Sequence, residues 1–152
     1  MAALSVMAVK RLQKEQQKFE AGAAAEGLRL TVVSQTVWHV DFKGAEGTLY
    51  AGEPYKLLVE FSEEYPMDSP RVQFLGPSPV HEHIYSNGHI CLNILGDDWS
   101  PALTVSSVVL SVLSMLSSAT RKERPHDDLT YSATHKNSNP KRTHFAYHDD
   151  SV

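Results

Sequence analysis

Residues 28–61 read LRLTVVSQTVWHVDFKGAEGTLYAGEPYKLLVEF. Three runs rich in valine, leucine and aromatics (Leu28–Ser34, Val37–Phe42 and Tyr55–Phe61) are separated by turn-forming stretches, Gly44–Gly47 and Ala51–Pro54 standing between the last two. Strands joined by such short turns pair antiparallel with their neighbours, because a parallel pair needs a crossover of roughly a dozen residues, usually helical. Tyr65-Pro66-Met67-Asp68-Ser69-Pro70 interrupts the pattern, since proline lacks the amide that a ladder requires. Arg71–Leu75 resumes it as a shorter fourth strand. The expectation is a four-stranded antiparallel β-meander.

Helical patterns flank the meander. From about Leu4 to Phe19, the residues Val9, Leu12, Gln16 and Phe19 share one face of a 3.6-residue period, with Lys10, Arg11, Lys14 and Lys18 elsewhere. Arg11 and Glu15 stand four apart and read as an ion pair of ordinary surface value. Gly22–Gly27 is a small-residue connector into the first strand. After the sheet, Val105, Val108, Val109, Val112, Leu113 and Leu116 recur at helical spacing, and Thr104 is placed to cap them. This predicts a core helix over 105–116, laid across the sheet. The fold class is α+β in a single domain spanning 1–152. Residues 121–152 form a divergent C-terminal extension, irregular or weakly helical, with Phe145 and Tyr147 as its large anchors.

Composition narrows the function. A chain of 152 residues supports one real core, and 41% hydrophobic with 21% charged residues is ordinary for a globular domain. A net charge of -4 gives no reason to expect nucleic acid as a partner. One cysteine cannot form an internal disulfide, which fits a reducing compartment. Neither a signal peptide nor a run of ~20 apolar residues stands out, so no membrane association is expected. The expected location is the cytosol, with passive access to the nucleus. No phosphate-cradling G-x-x-x-x-G-K-S/T loop occurs, so neither a nucleotide site nor a cofactor is expected.

The candidate chemistry lies in residues 79–103, PVHEHIYSNGHICLNILGDDWSPAL. Most lone cysteines are packing residues. Cys91, however, follows a Ser86-Asn87-Gly88 turn and precedes an apolar run, a junction expected to leave the thiol reachable from one side. His81, His83 and His89 surround it in sequence. His89 would share the face of Cys91 if the segment is extended, and otherwise reads as a surface turn histidine. His81-x-His83 with His89-x-Cys91 could offer four ligands to zinc, but the spacing is not standard and no second cysteine pair exists. No metal is expected.

Tyr85–Leu95 (YSNGHICLNIL), followed by Trp99-Ser100-Pro101-Ala102-Leu103, resembles the active-site signature of ubiquitin-conjugating enzymes. The resemblance extends from Lys10-Arg11-Leu12-Gln13-Lys14-Glu15 to His148-Asp149-Asp150. His81-Glu82-His83 departs from the family's usual His-Pro-Asn, and together with the Tyr-His-Asp-Asp tail it is similar to the W-type branch, which attaches ubiquitin to protein N-termini. The resemblance implies that Cys91 accepts ubiquitin as a thioester and that His83 stands where the family has its catalytic asparagine. His81 and His89 would be supporting groups. Asp127 and Asp128 resemble the family's acidic gate, though as plain residues they read equally well as solvated loop charges. It also implies that Arg11, Lys14, Met67, Pro101 and Ala102 contact the ubiquitin-activating enzyme or RING and U-box ligases. Met67 stands where the family often has phenylalanine, and Ala146 marks a lost aromatic in the tail. The expected acceptors are flexible protein N-termini, with general lysine-directed conjugation as the alternative. A zinc-binding module and a non-catalytic adaptor of the same fold remain as rivals. Self-association is left open.

Overall fold

A computed structural model describes residues 4–136 and 138–142. In order, the elements are α1 (Val6–Ala23), β1 (Arg29–Val32), β2 (Val37–Lys43), β3 (Pro54–Glu60), β4 (Arg71–Leu75), α2 (Val105–Ser117) and α3 (Asp128–Thr134), with short 3₁₀ turns at Asn93–Leu95 and Pro140–Arg142. The strands form one sheet in the order β1-β2-β3-β4, every pair antiparallel. The meander read from the sequence is therefore the sheet observed. The first strand is shorter than expected, because Val33 and Ser34 turn the chain toward β2 with both amides on the carbonyl of Val37.

Register puts the large side chains in rows. Trp38 faces Val59, which faces Val72; Val40 faces Leu57, which faces Phe74. All six are buried. They share one core with Val105, Val108, Val109, Val112 and Leu116 of α2. Thr104 caps α2 as expected: its hydroxyl accepts from the Ser107 amide at 3.1 Å, and the Ser107 hydroxyl accepts from the Thr104 amide in return. Leu113 is only partly buried, and Met115 takes a core place instead.

The expectations for α1 need correction. The buried stripe of α1 is Ala8, Leu12, Glu15, Phe19 and Ala23, one residue away from a stripe through Val9 and Gln16. The helix also runs past Gly22, so the small-residue connector begins within it. Glu15 is consequently 7% exposed, and no ordinary surface pair. Its carboxylate accepts from Arg11 Nε at 2.9 Å, from the Tyr65 hydroxyl at 2.5 Å and from the backbone N–H of Val105 at 2.8 Å. A polar residue enters the core face here because the first amide of α2 and a buried phenol both require an acceptor.

The C-terminal extension is described only as far as Arg142. Phe145 and Tyr147 lie outside the described residues. The anchors that are seen are Arg124 and Tyr131. Tyr131 is 7% exposed and stacks on Tyr85, with ring centroids 3.8 Å apart.

Candidate active site

Cys91 sits just past the turn that the sequence marks, and long-range contacts hold it there. Gly88 has φ +94°, and a Cβ at that position would lie 2.3 Å from the carbonyl oxygen of Phe74. Only glycine lets the turn approach β4 so closely. The approach is used, since the Phe74 amide donates to the Gly88 carbonyl at 2.9 Å. Isolated bridges join His89 to Gln73 and Ile90 to Ile84, so the segment before the cysteine is extended. The Cys91 amide then donates to the carbonyl of His83 at 2.8 Å. Candidate nucleophile and candidate supporting histidine are thus joined directly through the backbone.

The thiol is not open to solvent. Cys91 is 1% exposed, contrary to the expectation of a thiol reachable from one side. A junction of loop and apolar run places a residue near the surface only if nothing folds over it, and local sequence cannot report what folds over it.

The three histidines are all buried. His81 closes its own turn: Nδ1 accepts from the His83 amide at 3.0 Å, and its carbonyl accepts from the Ile84 amide at 3.1 Å. Burial, with the neighbouring His83, pushes its pKa down to about 4. His83 Nε2 lies 3.8 Å from Glu82, and its ring centroid is 5.4 Å from that of His81. His89 is 1% exposed, which overturns its reading as a surface turn histidine. Its Nδ1 is 2.6 Å from the Tyr131 hydroxyl, and burial again pushes the pKa down to about 4. Both His81 and His89 are neutral at physiological pH. Among the described residues, no three or more His, Cys, Asp or Glu side chains are grouped to hold a metal.

Asp127 and Asp128 are brought to this site, but with partners. Asp127 accepts from the Tyr85 hydroxyl at 3.0 Å. Burial and that carboxylate together raise the phenol's pKa, so Tyr85 stays protonated. Asp128 accepts from the Ser86 amide at 2.7 Å. The Asn87 side-chain amide donates to the His135 carbonyl at 3.2 Å. Both carboxylates are fastened to the turn before Cys91, and Asp127 is at the same time exposed to solvent.

The other predicted residues lie at the α1–α2 end. Met67 is 72% exposed, and Pro101, Ala102 and Lys14 are exposed too. Trp99 Nε1 donates to the Pro66 carbonyl at 2.9 Å, so the loops carrying Met67 and Pro101 are bridged. Arg11 is largely committed internally: besides Glu15, it donates to the carbonyls of Pro101 at 2.7 Å and Leu103 at 2.6 Å. Its role in the structure is to hold that loop. Glu15 and Tyr65, which in the sequence read as half of a surface ion pair and part of a proline loop, and Arg124 and Tyr131, to which the sequence assigns no role, all make buried or long-range contacts. The spacing of Glu15 with Ala8, Leu12 and Phe19 was a usable signal, as was Tyr131 as the one aromatic between Trp99 and Phe145.

The family profile for ubiquitin-conjugating enzymes matches residues 8–148. The chain belongs to that family. Ubiquitin-conjugating enzyme 15 of Arabidopsis thaliana is 52% identical over 152 residues, covering 99% of this chain and 94% of the relative. Ubiquitin-conjugating enzyme E2 W of Caenorhabditis elegans is 49% identical, covering 98% of this chain and all of the relative. Among solved structures, the crystal structure of a ubiquitin-conjugating enzyme from Agrocybe aegerita superposes with a TM-score of 0.83 at 40% identity, over 90% of this chain and 99% of that one. The protein is a ubiquitin-conjugating enzyme with W-type relatives, and membership implies interaction with ubiquitin, activating enzyme and ligases.

Proposed function

We propose that Cys91 carries ubiquitin as a thioester and delivers it to the α-amino group of flexible protein N-termini. In charging, the Cys91 thiolate attacks the thioester held by the activating enzyme, whose thiolate leaves. In discharge, a neutral amine attacks the Cys91 thioester, sulfur leaves as thiolate and the amine loses its proton. The observation that carries the reading is the 2.8 Å bond from the Cys91 amide to the His83 carbonyl, which fastens a histidine, in place of the family's asparagine, beside the nucleophile.

Amine chemistry supports the choice of acceptor. With an α-amino pKa near ~7.8 and a lysine pKa near ~10.4, roughly a quarter of N-termini are neutral at pH 7.4, against ~0.1% of lysines. A site without the asparagine offers lysine little assistance, and an N-terminus needs less. A flexible N-terminus also threads to a shielded sulfur that a folded, lysine-bearing surface cannot approach. We place RING or U-box ligases at the Met67–Ala102 surface, and the cytosol and nucleus as the place of action.

One experiment tests both halves. Wild type, incubated with activating enzyme, ubiquitin and ATP, forms a reductant-sensitive adduct; Cys91→Ser forms a slower, reductant-resistant ester and Cys91→Ala none. The charged wild type is then offered free lysine, a lysine-free peptide with a free N-terminus, and that peptide acetylated. Transfer to the free N-terminus alone is expected. Rapid transfer to free lysine would establish the lysine-directed alternative, and an adduct on Cys91→Ala would remove Cys91 as the acceptor.

A further inference from the structure

The segment before the active-site cysteine, 78–84, has little regular structure, so its carbonyls need donors from elsewhere. One side chain supplies three of them, on Ser78, Pro79 and Ile84. Arg124 Nη1 lies within hydrogen-bond distance of the Ser78 hydroxyl (3.1 Å), the Pro79 carbonyl (2.9 Å) and the Ile84 carbonyl (3.1 Å), and Nη2 donates to the Ser78 carbonyl at 3.1 Å. Ser78 and Pro79 form the entry to the loop, and Ile84 is its exit. Between them stands the His81-Glu82-His83 turn, whose last carbonyl grips the Cys91 amide. The guanidinium therefore cross-links the two limbs of the loop that presents His83.

We infer that Arg124 is a positioning residue for acyl transfer: it sets the shape of the 78–84 loop, and through it the placement of His83 relative to the Cys91 thioester. The inference rests on the assignment of Cys91 and His83 above. The fork is specific to arginine, since a lysine ammonium is a point donor and cannot span acceptors on both limbs. Tyr50 also holds this loop, its hydroxyl donating to the Val80 carbonyl at 2.5 Å, but it reaches a single point and joins no two limbs, and the other neighbouring straps lie outside the loop. Lys122 pairs with Glu53 at 2.8 Å, and Asp127 and Asp128 hold Tyr85 and Ser86, beyond the loop's exit.

Charging draws on the thiol and the activating enzyme, whereas discharge also requires the loop, so the two steps separate this role from general stability. Arg124→Lys, Arg124→Ala and the control Lys122→Ala are each charged, then discharged onto a lysine-free peptide in the absence of ligase. Melting temperature and amide hydrogen exchange are followed alongside. For Arg124→Lys, discharge is expected to slow ~10-fold, as a misplacement of the order of an ångström can do. Its charging should stay within about twofold, and exchange at the Cys91 and Ile84 amides should quicken. Lys122→Ala should discharge like wild type. Wild-type discharge by Arg124→Lys overturns the inference, as does a parallel fall of charging and discharge that tracks melting temperature in both arginine variants. Failure of wild type to charge at all would fell the Cys91 assignment and this inference together, an outcome distinct from a charged wild type matched by Arg124→Lys.

Discussion

At the end that carries Met67, Pro101 and Ala102, one buried carboxylate gathers donors; at the end that carries Cys91, one guanidinium gathers acceptors. Glu15 takes hydrogen bonds from Arg11, Tyr65 and the first amide of α2, and so ties α1, the Tyr-Pro loop and α2 together. Arg124 donates to four oxygens of one loop, and so sets the course of that loop. The sign of each charge follows from the backbone groups left over around it. A helix N-terminus leaves unpaired N–H groups, which call for an acceptor. An irregular loop packed on a core leaves carbonyls, which call for a donor. The two ends are also built differently, since one joins two helices and a loop and the other holds a single irregular segment before Cys91.

Acid should break the Cys91 end first, and by the largest amount. His81 and His89 have pKa values near 4 in the fold, against ~6.5 in an unfolded chain. Between these values the unfolded chain binds more protons, so stability falls as pH falls from about 6.5 toward 4. The loss is about 3 kcal/mol for each histidine by pH 4, comparable as a pair with the whole stability of many domains. Urea midpoints at pH 7 and pH 4.5 measure it. His89→Gln, which keeps a polar partner for Tyr131 without a titrating proton, should show about half of the histidine-dependent decline. An unchanged decline would show that His89 does not bear it.

Glu15→Ala breaks the other end and ranks next. It strands a buried phenol, a helix-terminal amide and a partly covered guanidinium, at a cost of about 3 kcal/mol at neutral pH. Denaturant unfolding measures the loss, and Glu15→Gln should recover part of it. Ligase-free discharge of the charged, folded protein should be little changed, because no bond of Glu15 reaches the 78–91 segment. A variant as stable as wild type would mean that water replaces the carboxylate without loss.

The smallest effect sharpens the comparison without breaking either end. Thr104→Ala removes one side of the capping box of α2 and should cost about 1 kcal/mol. Val105 keeps its acceptor in Glu15, so the helix start and the loop before it stay in place. A loss as large as that of Glu15→Ala would make the threonine, and not the carboxylate, the true fastening of this end.

Periodicity and turn chemistry are local, and they determined most of the architecture. Alternating β-branched and aromatic runs between turns specified the meander, the valine pattern after Thr104 specified α2, and Tyr85–Leu95 with Trp99–Leu103 carried the likeness to ubiquitin-conjugating enzymes. Apolar side chains advertise their burial because their spacing repeats with the element that buries them. The tertiary structure alone decided the fate of the polar ones. It buried Glu15 and His89, closed over Cys91, committed Arg11 to two loop carbonyls and drew Arg124 to the 78–84 loop from 40 to 46 residues away. A polar group is buried only where another segment leaves a donor or acceptor unpaired beside it, and that vacancy exists only once the chain has folded.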